Sequence, residues 1–355
     1  MAKRRTTAHK EDGMKHFLIP EEGNFYKANL HCHTTVSDGR RTPEEVKADY
    51  MAKGYQIVAY TDHELMYPHP ELSDGDFLAM HGYEVSVNSP GEVWGRQRVC
   101  HICLVATRSD IDKQVVWNRQ NRGYTGENRG PAYDLAPTIA KFDESEADFV
   151  REYTCECISE IMRRGRKAGF FVTYNHPTWS MEDHTNYMGY HGMHAMEIVN
   201  YGCLSAGYDD YNPRVYDEIL RGGERIYCIA ADDNHRGTID CFGGFSMIKA
   251  PSLDYDTIGR ALLDGHFYAS EGPLIHSLWV EGKFLHVTCS PAKQITLNTG
   301  IIHTNFKKAE GGAPVTEAVF ELLPEFNYVR ITVLDGEGHH ACTNAYFLDE
   351  LPLGE

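Results

Sequence analysis

The feature that most constrains this chain is a recurrence of short β-rich runs that finish in His, Asp or Glu. Ala28-Asn29-Leu30 leads into His31-Cys32-His33, and Gln56 to Tyr60 leads into Thr61-Asp62-His63. Phe170 to Tyr174 leads into Asn175-His176-Pro177, and Arg225 to Ala231 into Asp232-Asp233-Asn234-His235. Leu78 to Ser86 carries Glu84 near its end, and Val99 to Ala106 carries His101. Helical stretches stand between several of these runs, over 43–53, 146–168, 212–222 and 256–264, each closed by glycine. Strand, helix, strand with a polar tail is the βαβ unit of an α/β fold. In a parallel α/β barrel the carboxyl ends of the strands share one face, so residues far apart in sequence converge there.

The first run is the most specific. Side chains alternate along a strand, so His31 and His33 project together and Cys32 turns away. Asp38-Gly39 marks a turn, and Thr42, Pro43 and Glu45 spell an N-cap, a first helical residue and a capping box. Two imidazoles and a loop carboxylate suit Zn, Mn or Fe. Across the chain the candidate metal ligands are His31, His33, Asp38, His63, Glu84, His101, His176, Asp233 and His235. Each alone is explained as well by a strand cap or a turn. Recurring together at strand ends, they exceed the four donors one zinc takes and suit two or three divalent ions bridged by Glu84. Clustered ions lower the pKa of a bridging water and clamp phosphoryl oxygens, which favours phosphoester hydrolysis over amide chemistry. His101 lies early in its run, and is retained because its neighbours are apolar. Asp62 orients His63 or serves as a catalytic proton donor, orientation being favoured. Arg40, Arg41 and Arg236 are candidate phosphate anchors, with a solvated loop arginine or a partner for the many local acids as the alternatives for each.

At 355 residues the chain suggests two domains, or one large barrel with an appendage. With 42% hydrophobic and 24% charged residues a sizeable core is available. A net charge of -17 argues against long duplex nucleic acid as a partner. The ten cysteines are scattered and mostly sit in apolar runs, which reads as reduced, buried thiols of a cytoplasmic protein. Cys100 and Cys103 would face opposite sides of a strand, against a redox pair. No apolar run reaches the ~18 residues of a membrane span. The basic start Met1 to Arg5 lacks the apolar core of a secretory signal. A small phosphorylated substrate and no membrane are therefore expected, and a homo-oligomer remains open.

The expected domains are a flexible arm at 1–23, a barrel at 24–275 with a polar insertion at about 108–145, and a β-rich domain at 276–355. In the last, hairpin-like runs replace helices: Leu278 to Cys289 turns at Glu281-Gly282-Lys283, and Asp335-Gly336-Glu337-Gly338 marks a second turn.

The ordered set His31-Cys32-His33 with Ser37-Asp38-Gly39, Thr61-Asp62-His63, Gly82-Tyr83-Glu84, His101, Asn175-His176-Pro177 and Asp233-Asn234-His235 resembles the PHP family, named for polymerase and histidinol phosphatase domains. The resemblance covers residues 26–275. It implies a distorted (β/α)7 TIM-like barrel with a trinuclear Zn, Mn or Fe site that works through a metal-bridging hydroxide. It implies that His31, His33, Glu84 and Asp233 hold one ion, that Asp38, His63 and His235 hold a second, and that Glu84, His101 and His176 hold a third. The Asp at position 38 is similar to the branch that includes small phosphoesterases and nucleotide or oligonucleotide hydrolases. Asp232 departs from the pattern and is expected to add charge beside the site. The function implied is hydrolysis of a small phosphorylated metabolite or nucleotide. The alternatives are a nuclease trimming short oligonucleotides and a non-catalytic metal-binding scaffold, against which the complete ligand set counts.

Overall fold

In chain order, β1 (His16–Phe17) and β2 (Asn24–Asn29) precede α1 (Pro43–Met51), then β3 (Ile57–Tyr60), β4 (Leu78–Asn88), β5 (Val99–Ala106) and α2 (Cys155–Lys167). Next come β6 (Phe170–Tyr174), α3 (His184–Tyr187), β7 (Ala195–Asn200), α4 (Tyr201–Ser205), α5 (Pro213–Arg221), β8 (Tyr227–Ala231), β9 (Phe245–Ala250), α6 (Tyr255–Leu263) and β10 (Phe267–Ser270). The chain closes with β11 (Ile275–Glu281), β12 (Phe284–Ala292), β13 (Gln294–Thr299), β14 (Thr304–Lys308), β15 (Val315–Glu321), β16 (Tyr328–Leu334), β17 (His340–Thr343) and β18 (Tyr346–Phe347). The structure, a computed structural model, describes residues 15–91, 93, 95–118 and 141–353. Of the expected arm at 1–23, residues 1–14 lie outside the described residues, as does the middle of the expected insertion, 119–140; within the rest of that arm, β1 is paired with β11.

Local chemistry starts the helices. Thr42 Oγ1 accepts from Glu45 N at 3.2 Å, and Glu45 Oε2 accepts from Thr42 N at 3.0 Å, closing the capping box of α1. Helix α2 begins later than its polar lead-in suggests, because Thr154 is its cap and accepts from Cys157 N. Its apolar stripe Ile158, Ile161 and Met162 is fully buried. Gly165 lies so close to the sheet that an added Cβ would stand 2.7 Å from Leu104, so the helix needs a glycine there. Gly169, at φ +93°, then takes the left-handed turn that ends it.

One mixed α/β sheet dominates. Its order is β14-β13-β16-β17-β10-β9-β2-β3-β4-β5-β6-β7-β8. Neighbours are parallel over β2-β3-β4 and β6-β7-β8, where helices or long loops connect them. Strand β5 runs antiparallel to both β4 and β6, which the βαβ pattern did not predict. The reason is the connection: residues 89–98 are too few for a crossover of a dozen or more, so the chain folds straight back. Strand β9 was also not anticipated from sequence. At the far end an isolated parallel bridge joins Cys32 to Asn234, and His31 O accepts from Asp233 N at 3.0 Å. The end of β8 thus lies against the end of β2, and the polar tails of the parallel strands crowd together.

After residue 275 two sheets face one another. One is β1-β11-β12-β15 and the other is the β14-β13-β16-β17 end of the large sheet. Leu278, Val280, Leu285 and Val287 of the first share a core with Ile295, Leu297, Ile331 and Val333 of the second. Burial alternates along these strands, as expected when one face is inward. The layer is tied to the rest of the chain. Tyr268 of β10 pairs with Thr343 of β17, and Arg330 binds Asp217 of α5 in a fork at 2.8 and 2.7 Å. All ten cysteines are free thiols. Among the described residues no helix is long and apolar enough to cross a membrane.

Candidate metal centre

All nine residues read as ligands meet at the strand ends described above. His31 and His33 follow β2, Asp38 lies in the next loop and His63 follows β3. Glu84 is inside β4, His101 inside β5, His176 follows β6, and Asp233 and His235 follow β8. Antiparallel pairing explains His101. Glu84 pairs with Cys103 and Ser86 with His101, so the start of β5 reaches the face where its parallel neighbours end.

Glu84 is the hub. One of its carboxylate oxygens lies 3.1 Å from His31 Nε2, 3.1 Å from His101 Nδ1 and 3.4 Å from His176 Nε2. The other lies 3.0 Å from His63 Nδ1 and 3.5 Å from His33 Nε2. Asp233 Oδ1 lies 3.2 Å from His31 Nε2 and 3.1 Å from His33 Nε2. Asp38 Oδ1 lies 3.5 Å from His235 Nε2 and 3.8 Å from both His33 and His63. Three sets bring one donor atom from each member within 4.8 Å of the others: His33, Asp38, His63 and His235; His31, Glu84 and His176; His31, His33 and Asp233. No candidate ligand comes from the strands after residue 275.

Two observations test whether a cation fits. Glu84 Oε2 and Asp233 Oδ1 are buried, yet no N–H reaches either in hydrogen-bond geometry. His31 Nε2 and His33 Nε2 stand 3.0 Å apart, a contact that needs an N–H against a lone pair or a cation that both ligate. Buried oxygens without donors beside inward-facing imidazoles are the donor set a divalent ion completes.

Titration reflects the crowding. Burial works against ionising Glu84, but His101, His31 and His63 outweigh it and hold the carboxyl well below its usual range. Burial likewise opposes protonation of His63, yet Asp38 and Glu84 push it up to about 9. His176 is also pushed up to about 9: burial opposes it, and Glu84, Asp233 and Glu197 outweigh burial. His33 goes the other way, down to about 3, through burial and the neighbouring His235 and His63 rings.

A further layer fixes the rings. Glu197 Oε1 is 2.7 Å from His31 Nδ1, and its other oxygen accepts from His176 N at 3.0 Å and Asn200 Nδ2 at 2.9 Å. Ser180 Oγ lies 3.1 Å from His176 Nδ1 and Ser86 Oγ 2.9 Å from His101 Nε2, so both rings turn the other nitrogen to Glu84. Asn175 Nδ2 donates to Glu84 Oε1 at 3.0 Å. His176 (φ +27°) and Asp233 (φ +53°) hold left-handed backbone, strain of the kind that concentrates at working sites. Sequence reasoning missed Glu197; its signal is a glutamate inside the apolar strand Ala195–Asn200.

Two readings are corrected, those of Asp62 and Asp232, and Arg41 takes one of its alternatives. The Asp62 carboxylate is engaged with the loop at 34–37 rather than with the His63 ring. It accepts from Thr34 N (2.7 Å), Thr34 Oγ1 (2.9 Å), Ser37 N (3.1 Å) and Ser37 Oγ (2.7 Å), clasping the loop that carries Asp38. Asp232 does not add charge beside the ligands. Its carboxylate turns away, onto Tyr50 OH and the backbone N–H groups of 242–244. Arg41 is engaged on the surface with Glu45 and Asp49. Arg40 and Arg236 are exposed and flank His235, whose carbonyl accepts from Arg40 N at 2.9 Å.

No protein-family profile matches the chain, and no curated protein is significantly similar to it. Solved structures named as metal-dependent phosphoesterases, one of them PHP-like, are among those similar to it. A two-domain protein from Bacteroides vulgatus, containing a predicted PHP-like metal-dependent phosphoesterase, is 14% identical with a TM-score of 0.45, over 98% of this chain and 99% of that one. A candidate metal-dependent phosphoesterase from Bifidobacterium adolescentis is 14% identical with a TM-score of 0.35, over 69% of this chain and 96% of that one. An amidohydrolase from Chromobacterium violaceum, solved with sulfate and no metal, is 18% identical with a TM-score of 0.39, over 60% of this chain and 89% of that one.

Proposed function

We propose that this chain is a metal-dependent phosphoesterase acting on a small phosphorylated metabolite or nucleotide, with two to three Zn, Mn or Fe ions. The observation that carries the reading is Glu84, one carboxylate with five imidazoles within 3.5 Å. Two oxygens offer about four lone pairs, so five rings cannot all be served by hydrogen bonds to Glu84. Ions shared between the rings, Glu84, Asp233 and Asp38 resolve the shortage. His31, His33, Glu84 and Asp233 would hold one. Asp38, His63 and His235 would hold a second, with His33 beside them. Glu84, His101 and His176 would hold a third. In this reading β2 to β8 form a distorted (β/α)7 barrel and the strands after 275 a domain without ligands.

When bound, such ions activate water and neutralise charge on phosphoryl oxygens. The chain's own groups do the rest. Glu197, Ser180 and Ser86 fix which nitrogen each ring presents. Asp62 holds the Asp38 loop. Arg40 and Arg236 stand where an entering phosphate would pass, and suit it as guanidinium forks.

Metal analysis of the purified protein, followed by a panel of mononucleotides, bisphosphates, short oligonucleotides and an amide substrate, tests the reading. Metal with monoester hydrolysis supports it. Preference for oligonucleotides would favour the nuclease reading, amide hydrolysis alone would replace the phosphoesterase, and metal with no hydrolysis would leave a binding scaffold.

A further inference from the structure

We propose that Arg151 and Glu64 form a buried clamp that positions His63 and His101 for metal, anchored in the segments on either side of 119–140. The inference rests on the metal-centre reading above. Glu64 directly follows His63 and has φ +63°, a left-handed conformation uncommon for glutamate. Three contacts hold it there: its N–H donates to Glu84 O at 2.8 Å, its carbonyl accepts from Gln114 Nε2 at 3.0 Å, and its carboxylate accepts from Ser86 N at 2.9 Å. Arg151 Nη1 then binds Glu64 Oε1 at 2.6 Å and Ser86 O at 3.0 Å, with both side chains only 6% exposed. Ser86 is the residue whose hydroxyl meets His101 Nε2. The clamp therefore grips the residue next to one candidate ligand and the residue that orients another.

Its anchors are knitted together. Gln114 N donates to Lys141 O at 2.7 Å, Phe149 N donates to Trp117 O at 2.9 Å, and Arg151 Nη2 reaches Val116 O at 3.4 Å. Stability alone is a weak reason for such a pair, because a buried ion pair is often no better than well-packed apolar side chains. Holding a strained backbone in register with metal ligands is a reason that fits its position. Among the described residues a second, part-buried arginine–carboxylate pair, Arg330 with Asp217, touches no candidate ligand and supplies a control.

The test loads the full chain with Co(II) and reads the visible absorption spectrum and chelator-competed affinity, beside thermal unfolding. Glu64→Gln and Arg151→Met are expected to alter the spectrum and weaken at least one ion about 10- to 100-fold. Arg151→Lys is expected to recover part of this. Asp217→Asn is expected to lower the unfolding midpoint with spectrum and affinity unchanged. If Glu64→Gln and Arg151→Met behave like Asp217→Asn, the clamp is structural only and the proposal is overturned. Should Arg151→Met not fold, Glu64→Gln, which keeps the side chain's shape, decides. A wild type that binds no cobalt overturns the metal centre and the clamp together. A wild type that binds cobalt but cleaves no phosphate ester overturns the proposed function and leaves the clamp standing.

Discussion

Glu197 and His31 meet at 2.7 Å, Oε1 to Nδ1, and neither side chain is exposed to solvent. With His176 N and Asn200 Nδ2 on its other oxygen, Glu197 acts as an acceptor, so His31 keeps its proton on Nδ1 and turns Nε2 to Glu84 and Asp233. A glutamine at 197 can accept through only one oxygen, and it turns an N–H toward a donor. Glu197→Gln is expected to weaken metal binding about 10- to 100-fold, read by chelator competition. Unchanged affinity would reduce Glu197 to a packing residue.

Glu84 and Asp38 differ in reach. Glu84 lies within 3.5 Å of five rings, whereas Asp38 approaches His33, His63 and His235 at 3.5–3.8 Å. Glu84→Gln is expected to lose more than one ion per chain, and Asp38→Ala at most one, by metal counting on purified variants. Equal losses would show that Glu84 does not bridge. Both variants are expected to lose most activity, since both oxygens face the same cluster.

Why so much of this centre was legible follows from strand geometry. His31, His33, His63, His176, Asp233 and His235 all come directly after apolar runs, and parallel strands carry such tails to one face. His101 could be placed only once β5 was known to run backwards, and the clue was the short connection at 89–98, which opens on Ser89-Pro90-Gly91. Asp232 was misread for a related reason. It is next to Asp233 in sequence but turns the other way, into Tyr50 and the 242–244 backbone. Asp62 and Glu197 needed the folded chain, because their partners at 34–37 and 176 are remote in sequence.

Protons and metal compete for the same nitrogens. In the metal-free cluster His63 and His176 are both pushed up to about 9, against about 6.5 in an unfolded chain. A raised folded value gives stability that is complete below about pH 6.5 and is lost as pH climbs to about 9. After chelation, these two groups are expected to lower the unfolding midpoint across that window. With saturating Zn or Mn, metal takes the place of the protons and binds more tightly as pH rises, so the fall is expected to vanish. Thermal unfolding from pH 6 to 9, with and without chelator, reads this. The same pH dependence in both states would remove His63 and His176 from the ligand set.

Arg236 offers a separable effect on substrate. Asp240 Oδ2 accepts from His235 N at 2.8 Å and from Arg236 N at 2.7 Å, which fixes the backbone of both residues. The Arg236 guanidinium is exposed and has no carboxylate partner among the described residues, unlike that of Arg41. A phosphate reaching the ligands past His235 would gain a charge-assisted hydrogen bond there, about 1.5–3 kcal/mol. Such a contact is made equally in ground and transition states, so its loss falls on KM. Arg236→Ala is expected to raise KM about tenfold or more with kcat within about twofold, while Arg41→Ala leaves both unchanged. A fall in kcat with KM constant would place the guanidinium on the transition state instead. No change in either would leave Arg236 in solvent and return the search for the phosphate anchor to Arg40.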